Sequence, residues 1–138
     1  MRRVAAVLIL ALCSSTVSCG SDSSTNPTTA SLAGTWKLTT VNGSPLPYVE
    51  QSGTTTIELL NDQITAAASG AFTESYNVRY TTNGQATTQP STDAGTWSLN
   101  GTIVTIHFTS TNTTDTATLS GNTITIASSG NSGVYVKQ

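Results

Sequence analysis

The sequence predicts an all-β domain, an antiparallel up-and-down meander that closes into a small barrel of about eight strands. Three observations carry this. Apolar and polar residues alternate at a period of two in segment after segment, turn residues separate the segments, and no long stretch repeats its apolar residues at the helical period of 3.6. Composition agrees: about one residue in five is Thr, whose branched side chain suits a pleated surface and penalises a helix. A sheet with no helices to cover it has open edges, and closure into a barrel removes them.

In the first strand Trp36 and Leu38 alternate with Thr35, Lys37 and Thr39. Residues 54–60 and 64–69 form the next two. Phe72, Tyr76, Val78 and Tyr80 then alternate with Thr73, Ser75, Asn77 and Arg79, and Gly95 to Leu99 follows. Val104, Ile106 and Phe108 share a face opposite Thr105 and His107, and residues 114–119, 123–127 and 134–137 complete a set of about nine short strands.

Turn chemistry orders these strands. Asn100-Gly101 is a two-residue hairpin signal, Ser120-Gly121-Asn122 acts likewise, and Asn61-Asp62 is expected to separate the second and third strands. Strands joined so tightly are antiparallel neighbours. Two longer connections interrupt the meander. Residues 42–53 carry Pro45 and Pro47, which resist strand interiors, and are expected to cross one end of the sheet; residues 83–93, polar throughout with Gly84 and Pro90, are expected to be an exposed loop. Gly34-Thr35-Trp36-Lys37-Leu38 returns as Gly95-Thr96-Trp97-Ser98-Leu99, each a glycine bend before an aromatic core position; no sustained repeat period accompanies the echo.

The first thirty residues concern location. Met1, Arg2 and Arg3 lead into an uncharged run from Val4 to Leu12 and then small residues up to Ser18, the three parts of a secretory signal. The run is shorter than the roughly 20 apolar residues of a spanning helix. Ser15-Thr16-Val17-Ser18-Cys19 is similar to the lipobox of bacterial lipoprotein signal peptides, with Thr16 where that family prefers Leu. Cys13, preceded by bulky Leu12, fits less well, and an ordinary secretory signal with an incidental Cys is the plainer alternative. The resemblance implies cleavage before Cys19, a diacylglycerol on its thiol, and usually an acyl chain such as palmitate on the new amino group.

The organisation expected is therefore a signal peptide over residues 1–18, a lipidated Cys19 with a flexible Ser/Thr/Pro spacer over 19–30, and one folded domain over 31–138. More than one acyl chain gives stable anchoring, so the expected partner is a membrane and the expected place the bacterial cell envelope. Gly20, rather than Asp, after the lipidated Cys favours the outer membrane in a Gram-negative cell. With Cys13 cleaved away and Cys19 acylated, no thiol remains to form a disulfide. Without the signal, Lys37, Arg79 and Lys137 stand against seven carboxylates, a net charge of −4. Such a domain lacks the basic footprint of a nucleic-acid binder.

Leu32-Ala33-Gly34-Thr35-Trp36, leading into Val41-Asn42-Gly43-Ser44-Pro45-Leu46-Pro47, together with Gly95-Thr96-Trp97-Ser98-Leu99-Asn100-Gly101 and the hairpin-rich end, resembles the small lipocalin-like domains of bacterial lipoproteins over most of residues 32–138. The resemblance implies that Trp36 packs across the closed end of an eight-stranded up-and-down barrel with a basic side chain against it. Lys137 is the candidate, where the family more often has Arg. The chain departs from the family in lacking its usual disulfide and a C-terminal helical pattern.

An eight-stranded barrel is either filled by its own side chains or holds one small ligand. The expected function is binding of a small, largely apolar molecule, with Ala66, Ala68 and Ala117 leaving space among Trp36, Tyr76 and Trp97, and with Glu74 and Tyr80 as further candidate contacts. Glu74 shares parity with Phe72 and Tyr76 and could face the interior, where burial would raise its pKa; its nearness to the Ser69-Gly70 turn favours solvent instead. The alternative is a filled, ligand-free barrel serving as a structural or protein-contact domain of the envelope. His107 is the only histidine and lies opposite the apolar face of its strand, so the parts of a metal site or a charge relay are missing. The expectation is a protein without cofactor, metal or enzymatic activity.

Overall fold

The computed structural model describes residues 31–128 and 130–138. Its strands are β1 (Gly34–Val41), β2 (Ser44–Pro45), β3 (Tyr48–Ser52), β4 (Thr55–Ala66), β5 (Ala71–Thr82), β6 (Gln85–Asn100), β7 (Ile103–Phe108), β8 (Thr113–Ser120), β9 (Thr123–Ser128) and β10 (Asn131–Lys137). All pairings are antiparallel. From β4 to β10 each strand pairs with the next, β10 pairs with β1, and β1 returns to β4, so eight strands close on themselves. The predicted all-β meander and its closure are thus observed, with no helix among the described residues. The β1–β4 seam is short, Gly34 to Lys37 against Gln63 to Ala66. Beyond it the two strands part, and β2 and β3 attach to β1 and β4 respectively.

Two expectations are corrected. Asn61-Asp62 is no turn, because β4 runs through it. Leu59 pairs with Val78 and Asn61 with Asn77, so the strand carries an extra residue at Leu60. Such a bulge keeps one face inward while the parity of the sequence changes, from Ile57 and Leu59 below it to Asp62, Ile64 and Ala66 above. Residues 83–93 are likewise not a loop. Asn83 (φ 51°) and Gly84 (φ 78°) make a two-residue turn, and the polar stretch after them is the first half of β6, paired with β5 from Gln85 onward. Pro90 is accommodated there because β6 meets β7 only from Gly95 to Asn100, leaving its outer half with a free edge.

One end of the barrel is shut by its core. Trp36 and Val104, each 1% exposed, are surrounded by Leu32, Ile64, Phe72, Ile106 and Ile124. The Trp36 indole donates from Nε1 to the Leu32 carbonyl at 2.7 Å, so the residues before β1 fold across this end. Lys137 Nζ lies 5.2 Å from the Trp36 ring centroid and donates to the Ser31 carbonyl at 3.0 Å. Gly34 makes room for it: its φ is +133°, and a Cβ there would lie 2.8 Å from Lys137 Cε. Lys137 therefore occupies the position of the basic residue that the resemblance implied. Burying an indole removes roughly 200 Å² from water, worth about 5 kcal/mol at the usual coefficient, a large share of so modest a core.

The echo around Trp97 has a different environment. That ring is half-buried, and its Nε1 donates to the carbonyls of Ala67 and Ala71, pinning the β4–β5 turn. Gly95 serves close approach rather than a bend. A Cβ there would fall 1.8 Å from the His107 carbonyl oxygen and 2.8 Å from the Phe72 ring, which stacks edge-on against Phe108 at 5.4 Å.

Candidate functional site

At the closed end Trp36, Ala66, Phe72, Trp97, Val104 and Ile124 leave about 20 Å³ between them, room for roughly one water. The expected space among Trp36, Tyr76 and Trp97 is therefore not there. Ala66 and Ala117 are buried beside large neighbours and let the aromatic rings close up, and Ala68 is exposed in the β4–β5 turn.

The space lies at the opposite end, where the Asn42-Gly43 and Asn83-Gly84 turns and the β7–β8 connection are gathered. A cavity of about 270 Å³ opens there, with Leu38, Leu59, Phe108 and Ile126 as apolar walls and Asp62, Glu74, Asp115 and Tyr135 as polar ones. A second cleft of about 280 Å³ continues from it across Val41, Leu59 and Asn131, and is otherwise lined by Tyr48, Glu50, Ile57 and Val78. This outer cleft sits on the stretch where β3, β4 and β5 extend past the barrel wall.

Strand parity places each acidic group. The bulge at Leu60 turns Asp62 inward opposite Tyr76, and two residues further Ile64 faces Glu74. Asp115 precedes Ala117 and Leu119 on the inner face of β8. Tyr135 enters from β10, paired with Leu38. Glu74 is thus inside, against the solvent position that the nearby turn favoured: β5 begins only at Ala71, and Glu74 already lies within its inward alternation, after Phe72.

Asp62 is 7% exposed. Its Oδ2 accepts the Tyr135 hydroxyl at 2.8 Å, whereas Oδ1 has no hydrogen-bond partner among the described residues. Burial pushes the Asp62 carboxyl up, against the pull of the Tyr135 bond. Burial and then the neighbouring Asp62 charge push Glu74 up to about 8. Burial, with the same two carboxylates, also raises Tyr135. Asp115 accepts from Ser128 Oγ at 3.2 Å, and Asp93, directly opposite Glu74 on β6, accepts from Ser110 and its neighbour's backbone amide. The described cations are elsewhere. Arg79 pairs with Glu58 on the outer face, Lys37 is exposed, and Lys137 caps the closed end.

Of the residues singled out in the sequence, Glu74 alone lines this cavity. Trp36 and Trp97 belong to the closed end. Tyr76 and Tyr80 share the inward parity of Glu74, opposite Asp62 and Ile57, but line neither the cavity nor the outer cleft. Cys19 lies outside the described residues. His107 is on the outer face, its Nδ1 3.2 Å from Thr114 Oγ1. Asp62, Asp115 and Tyr135 escaped the sequence reading. The signal for Asp115 was its parity with Ala117 and Leu119, and for Asp62 the change of alternation phase between Leu59 and Ile64.

Residues 32–126 match the family model described as a lipocalin-like domain. No curated protein matches the chain.

Proposed function

Because the chain belongs to the lipocalin-like domain family, we propose that it is a membrane-anchored, extracytoplasmic lipoprotein whose barrel binds a small, largely apolar ligand at its open end. The observation that carries the binding half is the contrast between the two ends. One is packed to about 20 Å³ of free space, and the other opens to about 270 Å³ with a contiguous cleft of similar size. Together these reach the scale of small-molecule sites, which run from roughly 300 Å³ upward. A ligand-free barrel acting only through its outer surface gives no reason for a concave, mixed apolar and polar mouth.

The anchoring half rests on the lipobox-like Ser15 to Cys19 and the polar spacer after it. Ser31 and Leu32 lie against the closed end, so the described domain begins on the side away from the mouth. A domain tethered through Cys19 keeps its open end free to load in the bacterial envelope, at the outer membrane in a Gram-negative cell. Native mass spectrometry of protein purified gently from its own cells tests the reading. A small-molecule adduct lost on denaturation is expected. A bare mass, with no displacement of an apolar dye by a panel of alcohols, fatty acids and amines, would overturn it.

A further inference from the structure

The inner wall of the open end is acidic on several sides. Asp62 from β4, Glu74 from β5 and Asp115 from β8 line the cavity, with Tyr135 from β10. Asp93 on β6 is the register partner of Glu74, shares its face and adds to the charge that raises it, and Tyr76 on β5 stands opposite Asp62. The cavity residues from β1, β7 and β9 are Leu38, Val41, Phe108, Ile126 and Ser128, none of them charged, and no described cation faces the cavity. Within this field Asp62 is 93% buried, and beyond the Glu74 carboxyl beside it nothing among the described residues serves its Oδ1. A buried carboxylate oxygen left unpaired costs roughly 1–3 kcal/mol or more unless a donor reaches it.

We propose that the open end binds a small organic cation, a protonated amine on an apolar body, with its ammonium donating to Glu74 in the field of Asp62 and Asp115. Its apolar part lies along Leu59, Ile57 and Val78 in the outer cleft. The inference rests on the reading that this end takes a ligand, and names its chemical class. A metal ion fits less well, because among the described residues no three His, Cys, Asp or Glu side chains are grouped closely enough to hold one. An ammonium needs only two acceptors and gains from the apolar walls that an ion cannot use. In the empty barrel a proton on Glu74 stands where the ligand's charge would be, consistent with its raised pKa. Entry of the ammonium favours the ionised carboxyl, and that proton leaves to solvent.

Titration calorimetry of the full domain with hexylamine, hexanol and hexanoate tests this, the three probes sharing one tail. Hexylamine is expected to bind roughly tenfold or more tightly than hexanol, the worth of one charge-assisted hydrogen bond, with hexanoate weakest. Its affinity should rise as the pH climbs towards 8 and fall above the amine's own pKa of about 10. Glu74→Gln should remove most of the preference for the amine over hexanol. If Asp62→Asn does not fold, proton release by the unaltered protein, read as a buffer-dependent binding heat, carries the test. Equal binding of hexylamine and hexanol would overturn the inference and leave the ligand-binding reading intact; binding of calcium but not of hexylamine would overturn the inference as well. Binding of none of the three would overturn both.

Discussion

Tyr135 and Asp62 meet inside the barrel, hydroxyl to carboxylate at 2.8 Å, from strands β10 and β4, which do not pair with each other. Between those strands runs β1, whose seam with β4 ends at Lys37. The hydrogen bond therefore spans the part of the wall where backbone pairing has stopped. Tyr135→Phe keeps the ring and deletes the hydroxyl donor to Asp62 Oδ2. The expected loss is about 2 kcal/mol at pH 8, and less at pH 5, where the carboxyl pair is more protonated and supplies its own donor. Urea unfolding at the two pH values checks this, and an equal loss at both would contradict it.

Stability should also fall as solutions become alkaline. Glu74 titrates near 4.5 when unfolded and at about 8 in the barrel, so between those values the folded state holds the extra proton. Its contribution is complete below about pH 4.5 and is lost as the pH rises through 8, and the raised Asp62 acts in the same direction. A tenfold difference in proton affinity between the folded and unfolded chain is worth about 1.4 kcal/mol before discounting for water at the open end, so a decline of about 2 kcal/mol between pH 5 and pH 9 is expected. Glu74→Gln should flatten that slope.

Gly95 is the position where the barrel has least tolerance. Gly95→Ala would drive its Cβ into the His107 carbonyl at 1.8 Å and the Phe72 ring at 2.8 Å. The β6–β7 pairing or the Phe72–Phe108 contact must then give way, at a cost of about 3 kcal/mol. Thermal unfolding followed by circular dichroism reads the loss. A variant as stable as the parent would mean that the two strands separate at little expense.

Much of the barrel was legible because its signals are local: period-two alternation at Trp36, Phe72 and Val104, and Asn-Gly or Ser-Gly turns between strands. What failed was the distinction between a turn and a bulge. Asn61-Asp62 carries turn-forming residues, and only pairing with β5 across the bulge shows that the chain passes straight through. The same error concealed the site, for Asp62 read as a turn residue has no reason to face inward. Residues 83–93 misled in a related way, because polar composition marks exposure, and a strand with a free edge beyond the barrel is exposed too. The acidic cavity is a product of closure. Asp62, Glu74, Asp115 and Tyr135 are spread over seventy-odd residues of chain, as the 73-residue separation of Asp62 and Tyr135 shows, and no local pattern links them.

The proposed anchor can be separated from the barrel by one atom. Acylation of the thiol requires the Cys19 sulfur, which neither Ser18 nor Gly20 can replace, and the spacer to Ala30 has no apolar face that could hold a bilayer alone. The domain owes nothing to that sulfur. Residues 31–138 contain no cysteine, and the contacts that shut the closed end begin at Ser31 and Leu32. Cys19→Ser is therefore expected to abolish labelling by radioactive or clickable fatty acid and to move the protein out of the membrane fraction, or to leave it as unprocessed precursor held by Val4 to Leu12. Its urea unfolding midpoint and amine affinity should match those of the unaltered domain. Processing with fatty-acid labelling retained would show that the lipid sits elsewhere, whereas loss of folding would show that the anchor supports the barrel after all.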